Sequence, residues 1–109
     1  MNSGGKNIMT KVMVEHGICG FKSTISAAAK PDYTVEIVID SDCPNLVNIP
    51  DDMLVIDPIM EMTQTGSIGG KLAEFIPHTS CVCVPAIIKA AEAEAGLALK
   101  KDVSIRFEE

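Results

Sequence analysis

Two segments near the front of the chain alternate apolar and polar residues with a period of two, and turn residues bound each of them. In the first, Phe21, Ser23, Ile25 and Ala27 share one side, while Lys22, Thr24 and Ser26 take the other. In the second, Tyr33, Val35, Ile37 and Ile39 fall in register within Tyr33-Thr34-Val35-Glu36-Ile37-Val38-Ile39-Asp40. That period belongs to a half-buried β-strand, and β-branched side chains suit its pleated surface. Before them, Val12 and Val14 lie on one face of Lys11–His16. Gly17 and Gly20 bracket Ile18-Cys19, a hairpin connection in which glycine supplies positive φ. Lys30-Pro31-Asp32 makes the next turn. The first third of the chain is therefore expected to be a three-stranded antiparallel meander.

The pattern then turns helical. Ser41-Asp42-Cys43-Pro44 sets a capping residue before an N-terminal proline and predicts a short helix through Leu46 and Val47, ending near Ile49-Pro50. Asp57-Pro58 repeats that signal before Ile59–Thr63, so Asp42 and Asp57 read as helix caps. Gly66–Gly70 reads as a flexible loop, and Lys71–Ile76 as a short helix stopped by Pro77. The longest helix has Pro85 in its first turn. Its apolar stripe is Ile87, Ile88, Ala91 and Ala95, with Lys89, Glu92 and Glu94 outside the stripe and Gly96 as the C-terminal cap. Asp102–Phe107 alternates again and is expected to close the sheet. The order βββ, helices, β predicts a two-layer α+β sandwich, a four-stranded and mainly antiparallel sheet with helices on one face. Residues 9–109 are read as a single domain behind a disordered polar arm, residues 1–8.

Composition narrows the function classes. Aromatics are only 4% of the 109 residues, so the core must be built from Ile, Val, Leu, Met and Ala. A formal charge of -6, with basic residues scattered, argues against nucleic acid, whose binding needs clustered Lys and Arg. The same scatter argues against a membrane surface, and no apolar run is long enough to span a bilayer. The first residues lack the apolar stretch of an export signal, which points to a cytoplasmic protein with reduced thiols. Gly66-Ser67-Ile68-Gly69-Gly70-Lys71 lacks the spacing of a phosphate loop. The middle carboxylates lack that of a calcium loop, and Met53, Met60 and Met62 read as core filler.

What remains is a set of four cysteines at places where the backbone turns: Cys19, Cys43, Cys81 and Cys83. In an antiparallel meander the first turn and the end of the third strand share one pole of the sheet, which brings Cys19 and Cys43 together. If the last strand runs parallel to the third, the long helix runs back against it, and its N-terminus carries Cys81 and Cys83 to that pole. A helix N-terminus favours thiolate, the form that binds metal. The expected ligands are Cys19, Cys43 and Cys81, with Cys83 or His78 as the fourth, for zinc or, if all four donors are sulfur, an iron–sulfur cluster. Paired C-x-x-C knuckles are absent. His16 ends the first strand where it can face this pole, although a lone strand-end histidine is more often solvated or satisfied. Two other readings stand beside metal binding. The cysteines can be buried packing in a protein-interaction or homodimerisation module, or they can do thiol redox work.

Gly17-Ile18-Cys19-Gly20-Phe21, Cys43-Pro44, Asp57-Pro58 and Glu94-Ala95-Gly96-Leu97-Ala98-Leu99 leading into Asp102-Val103 resemble segments of a small family of uncharacterised proteins found mainly in anaerobic prokaryotes. The resemblance covers most of the domain but not the arm. It implies a soluble single-domain protein and transfers no catalytic residue. No motif names a reaction, so the chain reads as a non-enzymatic or accessory domain.

Overall fold

The computed structural model describes residues 9–63, 68–72, 74–77 and 81–108. Three antiparallel strands lead it: β1 (Thr10–Glu15), β2 (Lys22–Ala29) and β3 (Val35–Ser41). Their register aligns Thr10 with Ala27 and Ile37, Val12 with Ile25 and Ile39, and Val14 with Ser23 and Ser41. Alternate residues point to one face of a pleat, so these rows all meet the helices, and Ile25, Ala27 and Ile37 are buried. The opposite face carries Met13 and Val38 in the open. Tyr33 does not join this register. It sits at φ +70 in the turn before β3, 88% exposed, because the chain is still reversing there and the strand begins only at Val35.

Helix α1 (Pro44–Val47) and a 3-10 turn (Asp51–Leu54) lead to β4 (Val55–Ile56). This two-residue strand pairs antiparallel with β3, giving the order β1-β2-β3-β4. The four-stranded antiparallel sheet and the α+β class agree with the sequence reading, but the fourth strand does not lie at Asp102–Phe107. Residues 101–108 have no regular structure and are exposed. Val55–Ile56 take the edge of β3 instead, pairing Ile56 with Val35 and Val55 with Glu36. Alternation states only that a segment favours an extended backbone, and pairing also needs a free edge within reach.

Helices α2 (Pro58–Met62), α3 (Ile68–Leu72) and α4 (Cys83–Glu94) complete the second layer. Asp57 caps α2 as expected, accepting from the Ile59 and Met60 amides at 3.1 and 3.2 Å. Asp42 does not cap α1: its carboxylate accepts from the Lys22 amide at 3.1 Å and ties the end of β3 to the start of β2. At the other end of α4, Gly96 takes φ +78. The Leu97 amide then donates to the Glu92 carbonyl and the Gly96 amide to that of Ala93, the paired closure that glycine permits.

Helix α4 crosses β1 and β2 and buries Cys83, Ile87, Ala90 and Ala91. Glu94, expected outside the stripe, faces the sheet. One carboxylate oxygen accepts from Thr10 N at 3.1 Å and Thr10 Oγ1 at 2.7 Å, and the other from Ala29 N at 3.1 Å. The helix is thereby oriented, with Glu94 beside the start of β1 and Cys83 at the pole where β1 and β3 end. Among the described residues no helix is long and apolar enough to cross a membrane.

Candidate metal centre

The hairpin after β1 sets the first donor. The His16 amide donates to the Phe21 carbonyl at 3.0 Å and that of Gly20 to Gly17 at 2.9 Å, with both glycines at positive φ. His16 continues the series Val12, Val14 and so turns its ring towards the helix layer. There its Nε2 lies 2.6 Å from Ser23 Oγ. Ser23 Oγ donates to Ser41 Oγ at 2.7 Å, and Ser41 Oγ accepts from the Cys43 amide at 3.0 Å. The two serines meet because the register places them opposite each other. Nε2 therefore lies against both Ser23 Oγ and Cys83 Sγ, and the ring's other nitrogen is Nδ1. That Nδ1 atom is buried and has no hydrogen-bond partner among the described residues.

Helix α4 brings the thiols. Cys83, its first residue, is 0% exposed and places Sγ 3.1 Å from His16 Nε2 and 3.9 Å from Ser23 Oγ. Cys81, half-buried, lies two residues earlier. One donor atom each from His16, Cys81 and Cys83 lie within 4.8 Å of one another. A tetrahedral zinc would hold a nitrogen and a sulfur ligand about 3.5 Å apart and two sulfurs about 3.8 Å apart, so side-chain adjustments of about an ångström or less would close the set.

Burial pushes the Cys83 thiol up to about 12; the neighbouring Cys81 charge adds to the rise, the Ser23 hydroxyl opposes it, and Cys43 adds a smaller push. The helix N-terminus was expected to favour thiolate here, and burial overrides it. The dipole is worth about 1 kcal/mol, under one pKa unit, whereas full desolvation reaches several units. Cys83 therefore keeps its proton at neutral pH and is closed to solvent. The Cys83–His16 pair has the proximity of a nucleophile and its base but not the ionisation or the access. A bound cation changes this balance, because coordination removes the thiol proton outright.

The expected ligands are thus distributed unevenly. Cys81 and Cys83 stand together. Cys43 is buried close enough for its charge to act on Cys83, but it is not in the group of three. Cys19 is exposed on the hairpin and also outside that group. His78 lies outside the described residues. His16, which the sequence pattern ranks as solvated or satisfied, is the nitrogen donor of the group. Its signal is its place two residues beyond Val14 on the helix-facing side of β1.

No curated protein and no solved structure matches the chain. Residues 10–107 match a family of unknown function, DUF6951, and the chain belongs to that family.

Proposed function

We propose that this domain binds one thiophilic metal ion, zinc in the first instance, between the end of β1 and the start of α4. His16, Cys81 and Cys83 are the ligands, and Cys43 or solvent fills the fourth position. The observation that carries this reading is the convergence of one imidazole and two thiols from segments 65 or more residues apart. Nitrogen and sulfur donors select zinc over calcium or magnesium, which require oxygen. An iron–sulfur cluster is the weaker form of the same reading, since it calls for four thiolates and Cys19 stands apart. With Cys83 fully buried, the ion's role is structural, pinning the first hairpin to the long helix. Four free thiols fit a reducing compartment such as the cytoplasm.

Cobalt(II) titration of the metal-free protein under anaerobic conditions tests this. One equivalent should give thiolate-to-cobalt charge transfer that zinc displaces, with the signal lost in Cys83→Ser and Cys81→Ser, weakened in His16→Asn and retained in Cys19→Ser. Absence of a saturable cobalt signal in the folded wild-type protein would sink the proposal.

A further inference from the structure

Asp102-Val103-Ser104-Ile105-Arg106-Phe107 has the sequence of a strand and pairs with no strand among the described residues. Val103, Ile105 and Phe107 occupy one side of an extended chain and Ser104 and Arg106 the other. The three apolar side chains are 61%, 78% and 101% exposed. No backbone hydrogen bond holds this segment to the other described residues. Scattered exposed apolar residues are ordinary, but three in strict alternation on β-favouring residue types form a contiguous apolar face.

The sheet has the complementary defect. In the order β1-β2-β3-β4 the first strand has a neighbour on one side only. Beyond Thr10, whose amide donates to Glu94, its residues Lys11–Glu15 present an open edge among the described residues. The effect reaches the core, since helix-facing Val12 is only half-buried while its partner in register, Ile25, is wholly buried. A strand laid along β1 with its apolar side to the helix layer would cover Val12 and bury Val103, Ile105 and Phe107 in the same step.

We infer that the segment Asp102–Phe107 docks as a fifth strand on the β1 edge of a second copy of this chain, with reciprocal exchange giving a closed two-fold dimer. The alternation provides the strand, and the open β1 edge provides the place. The second copy follows from where the segment leaves its own fold. Glu94 holds the end of α4 beside the start of β1, yet after the Gly96 turn the chain leaves that edge uncovered and stays exposed. Reciprocal exchange also satisfies both edges at once and leaves no open end for further growth.

Sedimentation or native mass spectrometry across a concentration series, with amide exchange on the same samples, tests this on the full chain. A reversible dimer is expected, with Val103–Phe107 amides at least tenfold more protected in the dimer than in the monomer. Ile105→Glu and Phe107→Glu should shift the protein to monomer with unchanged thermal unfolding of that monomer, since both side chains are exposed within one copy. Three results would overturn the inference: a monomer with unprotected tail amides at high concentration, a monomer with protected tail amides at every concentration, or a dimer that survives both substitutions.

Discussion

The two ends of α4 meet the same sheet through polar side chains, and they do so very differently. At one end the Glu94 carboxylate receives three donors, two from Thr10 and one from Ala29, and nothing at that contact is left over. At the other, Cys83 is buried with its proton retained against His16 Nε2, and the Nδ1 of that ring lacks a partner among the described residues. A half-buried carboxylate with three hydrogen bonds is a finished clamp. A buried thiol and imidazole in contact are unfinished, and the cost of an unsatisfied buried group is about 1–3 kcal/mol. The difference teaches that helix docking by itself is secured at the Glu94 end, whereas the thiol end is arranged for something added.

Breaking the finished end should cost the most. Glu94→Ala removes one acceptor from three donors, and a loss of about 2–4 kcal/mol is expected in denaturant unfolding; Glu94→Gln should lose clearly less. Stability equal to wild type in Glu94→Ala would mean that the clamp is decorative.

Completing the unfinished end comes next. Zinc at a hundredfold excess over its dissociation constant should stabilise the wild-type protein by about 2.7 kcal/mol. Glu94→Gln should gain the same increment and Cys83→Ser none, as read from the unfolding midpoint with and without metal. An equal gain in Cys83→Ser would place the ion elsewhere.

The pH dependence sharpens the same contrast. In the metal-free protein the Cys83 proton is held to about 12, whereas the unfolded chain releases it near the ordinary thiol value of 9.0. Above that value the unfolded state binds fewer protons than the native state, so stability falls as pH rises from about 9 towards 12. This loss should be absent in Cys83→Ala relative to its own neutral-pH value. Metal affinity should move in the opposite sense and weaken on acidification, because protons compete for the thiolate.

Smaller effects separate the remaining residues. Ser23→Ala takes a hydrogen-bond partner from both His16 and Ser41, and a loss of about 1 kcal/mol is expected from thermal unfolding. Cys19→Ser, at an exposed position, should stay within about 0.5 kcal/mol of wild type and retain full metal binding. A large effect there would draw Cys19 into the site.

Much of the sheet is legible in the amino-acid sequence, because alternation in Phe21–Asp40 and the turn residues around it are local signals. The Asp57 cap and the Gly96 stop are legible for the same reason. Other features depend on distant partners. Tyr33 has the strand period but lies in the turn, and Asp42 has a capping residue's position but bonds to Lys22. Glu94 looks like a solvated helix residue until the sheet is placed beneath it. At the thiol end, Cys81 and Cys83 can be singled out by their position before Pro85. His16 cannot be ranked above a solvated histidine without knowing what stands opposite Ser23.

By itself the sequence determined the three-stranded meander at the front of the chain, the Asp57 cap and the Gly96 stop, and that the core is aliphatic. These follow from backbone preference and from hydrophobic period, which act over a few residues. Only the tertiary structure decided that Val55–Ile56 and not Asp102–Phe107 completes the sheet, and that His16 meets Cys83 across 67 positions while Cys19 is left outside. Register and helix placement decide such meetings, and both are set by the burial of many side chains at once, which no local pattern encodes.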